Sequence, residues 1–225
     1  MARRLKLGIL ISGRGSNLQA LIDACADPGF PAEIALVVSN KADAKGLERA
    51  ATASIPTRVI DHRGFASRTE FDSALNDALN DAAVDLVCLA GFMRLLGAEF
   101  VRAWHDRLIN IHPSLLPAFR GLHTHERALE AGVKLTGCTV HFVRADVDNG
   151  PIIVQAAVPV LDTDTPDSLA ARVLVAEHAC YPAAVRWIAE DRVSIVDDRV
   201  VLRDGSTPEA PVFSPCVTPT RRYTP

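Results

Sequence analysis

Three polar residues have the types and spacing needed for acid–base chemistry near neutral pH. Asn110 and His112 lie two positions apart in LINIHP, and Asp148 lies later, in VDNG. Residues two apart in a strand point to the same side, so the amide and the imidazole should lie together. The amide could stabilise an oxyanion, the imidazole could move protons, and a facing carboxylate would favour imidazolium. Spacing alone leaves open a structural Asn–His pair and an ordinary Asp-Asn-Gly turn.

A glycine-containing loop is the second candidate site. The segment SGRGSN, residues 12–17, follows an apolar run and precedes a helical pattern. Backbone N–H groups at a helix N-terminus can bind an anion there. The dinucleotide fingerprint would require glycine where Leu18 stands, and the chain has no Gly-Lys-Ser/Thr sequence. These differences favour a single phosphate over a pyrophosphate, and a tight turn that binds nothing remains the alternative.

Other groups of reactive side chains give weaker signals. His123, His125 and His141 could suggest a metal site, but their spacing matches no common zinc motif, so we expect no metal. Cys138 lies three positions before His141 in a predicted strand, hence on the opposite face, which favours a core cysteine over a nucleophile. The five cysteines are scattered without a C-x-x-C pair, which is typical of a reduced, cytoplasmic compartment.

The elements that would position these groups alternate between short apolar runs and helical patterns. The early runs are apolar on both faces, which predicts an α/β fold with a doubly wound, mostly parallel sheet. The runs 135–143 and 151–160 are too close in sequence for a crossover helix, so they predict an antiparallel hairpin toward the C-terminus. The other predicted elements are strands at 7–12, 33–40, 56–62, 84–91 and 108–113, helices from Ser16 (with a Ser16–Gln19 capping box), from Arg68 and from about Thr165, and a terminal hairpin at 194–205 turning at Asp197 and Asp198.

Length and composition limit the classes of protein that fit. The chain has 225 residues, which predicts a single domain at 1–204 followed by a Pro/Ser/Thr-rich tail at 205–225. The net charge of -3 disfavours a general nucleic-acid binder. No apolar run approaches the length of a membrane span, and the N-terminal run is too short for a signal peptide.

Longer segments resemble the glycinamide ribonucleotide formyltransferase family of folate-dependent formyltransferases. They include LISGRGSNLQALIDA, LAGFMRLL, LINIHPSLLPAFRGLHTHERALEAG and VDNGPIIVQAAVPV, in the family's order over about residues 6–190. The resemblance implies the formyltransferase type of α/β fold. It also implies transfer of a formyl group from N10-formyltetrahydrofolate, as cosubstrate, to the amine of glycinamide ribonucleotide in purine biosynthesis. Small molecules are then the expected partners, without nucleic acid or membrane; a homodimer is compatible with the sequence.

The resemblance also implies roles for individual residues. Asn110, His112 and Asp148 match the family's catalytic trio. Asn149 and Arg120 stand where the family often has Gly and Pro. The residues that match the nucleotide site are Gly15, Ser16, Asn17, Leu174, Val175, Ala176 and Glu177, of which Glu177 matches a glutamate that holds the sugar. The residues that match the formyl-folate site are Arg68, Met93, Arg94, Leu95, Leu96, Asn110, Arg144, Ala145, Asp146, Val147 and Asp148.

Three rival functions follow from parts of the same pattern. Formyltetrahydrofolate hydrolase would use water in place of the amine, but that family carries an N-terminal regulatory domain, for which a first strand beginning near residue 5 leaves no room. Methionyl-tRNA formyltransferase has a basic C-terminal domain, which the short tail does not match. A non-catalytic nucleotide-binding module would use only the glycine loop and would leave the trio unexplained.

Overall fold

Seven strands form the central sheet of the computed structural model, which describes residues 3–205 and 210–215. They are β1 (Leu5–Ile11), β2 (Ala32–Ser39), β3 (Thr57–Val59), β4 (Leu86–Leu89), β5 (Leu108–His112), β6 (Leu135–Phe142) and β7 (Ile152–Pro159). Their order is β3-β2-β1-β4-β5-β6-β7. The first five strands pair in parallel, and β5–β6 and β6–β7 pair antiparallel. The predicted mostly parallel sheet and its antiparallel region are both confirmed.

Six α-helices and a second, two-stranded sheet complete the described part of the chain. The predicted long helix corresponds to α6, and the predicted terminal hairpin to β8 and β9. This hairpin turns at Asp197 and Asp198, which have φ values of 50° and 56°. The helices are α1 (Ser16–Ala26), α2 (Gly46–Thr52), α3 (Arg68–Asp81), α4 (Ala98–Ala103), α5 (Thr124–Glu130) and α6 (Pro166–Ala189), and the two strands are β8 (Val193–Val196) and β9 (Arg199–Leu202).

Two apolar clusters cover the two faces of the large sheet. Side chains alternate between faces along β1, so Ile9 packs with α1 and α6, whereas Leu10 packs with α3 and α4. Tyr181 of α6 is fully buried on the first face, where its hydroxyl donates to the Leu89 carbonyl at 3.0 Å. Burial on both faces explains why the central strands β1, β4, β5 and β6 lack a polar alternation, whereas the edge strands β3 and β7 carry exposed residues.

Two local predictions about element ends are wrong. The first residue of α1 is Ser16, and Gly15, in a left-handed conformation, takes the N-cap position that was predicted for Ser16. The Gln19 side chain forms no capping box and donates instead to Asp23. Strand β3 ends early, because the Asp61 side chain accepts from the Arg63 N–H and starts a 3-10 turn. The predicted tail at 205–225 lies largely outside the described residues and stays a prediction. No helix in the described ranges is long and apolar enough to cross a membrane.

Candidate active site

The carboxyl end of β5 brings the predicted amide and imidazole to one side of the sheet. Asn110 pairs with His141 of β6, and His112 pairs with Thr139 two positions further on. Asn110 is half-buried and His112 is buried. Pro113 follows and lacks the N–H that would extend the ladder, so both side chains lie where the strand ends and loops begin. In open α/β sheets, ligands bind at this edge.

The two ring nitrogens of His112 each face an oxygen. Nδ1 lies 3.3 Å from Oδ2 of Asp148, and Nε2 lies 3.0 Å from the carbonyl oxygen of Phe119. The His112 side chain is 6% exposed and the Asp148 side chain 12%. A neutral ring can donate to one of these oxygens, and a doubly protonated ring would donate to both. The structure therefore brings together all three residues of the predicted trio.

Asp148 is held in place by a strained but supported loop between β6 and β7. Its φ of 46° lies in the left-handed region, which a non-glycine residue keeps only when its surroundings hold it. The Gly121 N–H donates to Oδ2 of Asp148 at 2.7 Å, on the same oxygen that faces His112. Gly150 closes the loop, and a Cβ there would lie 2.1 Å from the Phe142 carbonyl oxygen.

His141 is a member of the site that the sequence analysis missed. Its Nε2 lies 3.4 Å from Nδ2 of Asn110, and its Nδ1 lies 2.9 Å from the Phe142 carbonyl oxygen. Burial lowers the pKa of His141, so the neutral ring donates from Nδ1 and accepts at Nε2. The Asn110 amide is thereby oriented, with one N–H left for a ligand. Only the register between β5 and β6, which the sequence did not show, places His141 opposite Asn110.

The predicted nucleotide residues meet where the start of α1 contacts α6. Nδ2 of Asn17 donates to Oε2 of Glu177 at 2.6 Å, and both residues are buried. Burial raises the pKa of Glu177, and the hydrogen bond from Asn17 opposes that shift. Oδ1 of Asn17 is buried and has no hydrogen-bond partner among the described residues. The site thus offers polar groups that a ligand could satisfy, next to the N-terminus of α1.

The neighbours of these residues differ in exposure. Ser16 is half-buried, as are Leu174 and Ala176 on α6, whereas Val175 is 71% exposed. Gly15 has a φ of 69°, and a Cβ on it would lie 2.6 Å from Cα of Gly46. This contact holds the loop against the start of α2 and keeps the backbone before α1 free of side chains.

Replacing Gly15 with Ala should therefore lower the free energy of unfolding. The left-handed backbone alone costs about 1–2 kcal/mol for an L-residue, and the contact with Gly46 adds to it. Chemical denaturation of the variant and the wild type measures the difference. Gly13→Ala is the matched control, since a Cβ at Gly13 meets nothing within 4 Å. Equal stability of the Gly15 variant and the wild type would contradict this account of the loop.

The predicted formyl-folate residues form two surface segments. Met93, Arg94 and Leu95 are exposed after β4, and Leu96 is half-buried behind them. This segment is tied down at both ends. The Met93 N–H donates to Oγ of Ser12 at 2.8 Å, and the Gly97 N–H donates to Oδ2 of Asp72 at 2.7 Å. Arg68 begins α3, whose Asp72 is buried, and burial raises the pKa of that carboxyl.

The second segment is the loop that carries Asp148. Ala145, Asp146 and Val147 are exposed, and Arg144 is half-buried. Oδ1 of Asn149, which stands where the resembled family often has glycine, accepts from Nη2 of Arg120 at 3.4 Å. The two residues at which the sequence departs from the resemblance therefore contact each other.

The remaining reactive residues occupy structural positions. Cys138 is fully buried, and a hydrogen bond with Cys180 raises the pKa of its thiol, in keeping with the predicted core cysteine. Nδ1 of His123 lies 3.6 Å from Oε1 of Glu126. The His123 side chain is exposed at the surface, whereas His141 is buried. Within 3–205 and 210–215, no cluster of three or more His, Cys, Asp or Glu side chains is arranged to hold a metal ion.

Comparison with known proteins places this geometry in context. The sequence model described as Formyl transferase matches residues 5–185. The phosphoribosylglycinamide formyltransferase of Escherichia coli is 48% identical over 201 residues, covering 89% of this chain and 94% of that protein. The crystal structure of glycinamide ribonucleotide transformylase 1 from Symbiobacterium toebii has a TM-score of 0.89 at 51% identity, covering 91% of this chain and 96% of that one.

Two further relatives mark the breadth of the similarity. The trifunctional purine biosynthetic protein adenosine-3 of Gallus gallus is 54% identical over 192 residues, or 85% of this chain. The chain spans only 19% of the length of that relative. A formyltetrahydrofolate deformylase from Pseudomonas syringae has a TM-score of 0.84 at 26% identity, covering 90% of this chain and 67% of that one.

Proposed function

The chain belongs to the formyl transferase family, and we propose that it transfers the formyl group of N10-formyltetrahydrofolate to the amine of glycinamide ribonucleotide. The products are N-formylglycinamide ribonucleotide and tetrahydrofolate, which places the reaction in purine biosynthesis. The observation that carries the proposal is the position of His112, held between Asp148 and the Phe119 carbonyl beside Asn110. This arrangement supplies hydrogen-bond donors and a proton carrier at one point.

The reaction needs an oxyanion to be stabilised and a proton to be moved. The neutral amine of the nucleotide attacks the formyl carbon, and the formyl oxygen becomes negative. Asn110 donates to that oxygen with the N–H that His141 leaves free. His112 donates from Nε2, which exchanges its Phe119 partner for the oxygen. The C–N bond to folate then breaks as N10 accepts a proton and the attacking nitrogen loses one, and no covalent enzyme intermediate forms.

Each substrate has a proposed place beside this centre. The nucleotide phosphate binds at the backbone of Gly15, Ser16 and Asn17, and Glu177 accepts hydrogen bonds from the sugar. The unsatisfied Oδ1 of Asn17 supports this assignment, because a hydroxyl of the bound nucleotide could donate to it. The folate ring lies between the segment 93–96 and the loop that carries Asp148. Exposed Met93 and Leu95 supply apolar area for an aromatic ring there.

Hydrolysis of formyl-folate is the alternative that the deformylase similarity favours. The two reactions differ in the acceptor, so the test is the dependence of tetrahydrofolate formation on glycinamide ribonucleotide. We expect tetrahydrofolate to form at an appreciable rate only when the nucleotide is present. Tetrahydrofolate and formate released at the same rate without the nucleotide would overturn the proposal in favour of hydrolysis.

We also propose the setting in which the reaction takes place. The residues assigned to both substrates lie between Gly15 and Glu177, within the proposed 1–204 domain, and 205–225 is a tail outside it. The partners are small molecules rather than nucleic acid or membrane, and the location is cytoplasmic. These assignments are supported by the net charge of -3 and by the free thiols of the described cysteines, Cys25, Cys88, Cys138 and Cys180.

A further inference from the structure

Arg144 begins the loop that carries Asp148, and two distant carboxylates hold its guanidinium. Nε and Nη2 donate to Oδ1 of Asp198 at 2.9 and 2.8 Å, and Nη2 also donates to Oδ1 of Asp106 at 2.9 Å. Nη1 donates to the Val143 carbonyl at 3.3 Å. The Arg144 side chain is only 16% exposed. Its charge is therefore fully engaged within the protein, across three separate segments of chain.

The two carboxylates come from two turns that lie far from Arg144 in the sequence and have left-handed backbones. Asp106 lies between α4 and β5, Asp198 lies between β8 and β9, and both have a φ of 56°. The hairpin is held by its own contacts, since Ile195 and Val200 pack against the larger apolar cluster. The two turns thus present oxygens at set positions, and Arg144 bridges them.

A movement of Arg144 would be passed on to Asp148 by short covalent and hydrogen-bonded links. The Arg144 N–H donates to the Asn149 carbonyl at 3.2 Å, which closes the loop next to Asp148. Asp148 itself has a left-handed backbone that its surroundings must hold. Its distance of 3.3 Å from His112 then depends on where the base of the loop is anchored.

We propose that Asp198 and Asp106 are positioning residues, which act through Arg144 to anchor the 144–150 loop and so hold Asp148 against His112. The inference rests on the proposed function, because it assigns Asp148 a part in formyl transfer. Arg144 then shapes the folate loop through its ion pairs, and the loop's exposed residues remain free to contact the folate. The C-terminal hairpin, which lies outside the residues matched by the family model, becomes a support for the site.

The chain supplies a matched pair of variants for the test. Asp197 and Asp198 are neighbours in one turn with left-handed backbones, but Arg144 donates only to Asp198. Asn tolerates that backbone, so Asp198→Asn and Asp197→Asn differ chiefly in the lost ion pair. Because Asp198 is 63% exposed, the expected loss is modest, about 2- to 5-fold in kcat/KM for formyl-folate.

The kinetic pattern separates positioning from a general structural role. We expect Asp198→Asn to lower kcat and to raise the KM for formyl-folate. The KM for the nucleotide and the melting temperature should be almost unchanged. Asp197→Asn should behave as wild type, and Asp198→Glu should recover part of the loss. In an Arg144→Ala background, Asp198→Asn should have no further effect. Equal kinetics for Asp198→Asn and Asp197→Asn, or additive losses with Arg144→Ala, would overturn the proposal.

Hydrogen exchange tests the anchor without reference to activity. Amides of residues 143–150 should exchange faster in Asp198→Asn than in Asp197→Asn, because the loop base has lost a restraint. Unchanged exchange would overturn the anchor even if the wild type transfers formyl groups. If the wild type transfers none, the proposed function fails, and faster exchange in Asp198→Asn alone would still support the anchor.

Discussion

Replacing Asp148 with Asn should lower kcat by about 10²–10⁴-fold and leave both KM values within a few-fold. Asn keeps the size of the side chain and can still accept from the Gly121 N–H. It removes the negative charge that lies 3.3 Å from Nδ1 of His112. The imidazolium that forms during proton transfer is then no longer stabilised, although the substrates still bind. Steady-state kinetics with each substrate varied in turn measures the effect.

The control variant must remove one negative charge from a residue with a similar backbone conformation. Asp197→Asn meets this requirement, since Asp197 also has a left-handed backbone and lies outside the site. We expect it to retain the wild-type kcat. A near-normal kcat for Asp148→Asn would contradict the role assigned to the carboxylate. A rise of both KM values by more than about tenfold would instead indicate collapse of the loop, since transition-state interactions alone would leave them unchanged.

Replacing Glu177 with Gln should raise the KM for the nucleotide by roughly 5- to 12-fold above neutral pH. Hydrogen bonds to a charged group contribute about 1.5–3 kcal/mol and neutral ones about 0.5–1.5 kcal/mol, and each 1.4 kcal/mol is a factor of ten. Gln can still accept from Nδ2 of Asn17, so the local packing should survive. The KM for formyl-folate should not change, because Glu177 is assigned to the nucleotide site and not to the folate site.

The pH dependence gives this prediction a second readout. Burial raises the pKa of Glu177, so its carboxylate is protonated at a less acidic pH than an ordinary glutamate. The part of the nucleotide affinity that needs the Glu177 carboxylate is present above the raised pKa of Glu177. It is lost as the pH falls through that pKa. The ratio of nucleotide KM values, variant over wild type, should therefore shrink on acidification. Taking the ratio cancels the titration of the substrate phosphate, whose second pKa is about 6.

A surface carboxylate just after the C-terminal end of the same helix provides the control for Glu177. Glu190 follows α6 and lies in ion pairs with Arg186 and Arg192. Glu190→Gln should leave both KM values within about twofold, since exposed pairs of this kind contribute little. A constant KM ratio for Glu177→Gln between pH 5 and 8, or an equal rise in the KM for formyl-folate, would contradict the nucleotide site.

The sheet was predictable because its strands are buried on both faces and so appear as continuous apolar runs. The short link between 135–143 and 151–160 predicted the hairpin, which β6 and β7 confirm. Spacing also predicted that Asn110 and His112 share a side. The predicted capping box at Ser16 and Gln19 was wrong, because Gly15 adopts a left-handed conformation and takes the N-cap position itself.

Contacts between distant segments could not be derived from local patterns. Asn17 and Glu177 are 160 positions apart, and only the family resemblance connected them before the fold was known. The bridge from Arg144 to Asp106 and Asp198 spans 38 and 54 positions and leaves no periodic signal. His141 could not be identified from the sequence, because the predicted hairpin pairs β6 with β7, and only the fold shows that β6 also pairs with β5 and places His141 opposite Asn110.

The fate of the formyl carbon tests the central claim most directly. The protein would be mixed with glycinamide ribonucleotide and with N10-formyltetrahydrofolate that carries ¹³C in the formyl group, and the label would be followed by NMR. We expect the label to move to the amide of N-formylglycinamide ribonucleotide as tetrahydrofolate appears in equal amount, and to move far more slowly with Asp148→Asn. Label released as formate, or transferred at the same rate by Asp148→Asn, would contradict the account.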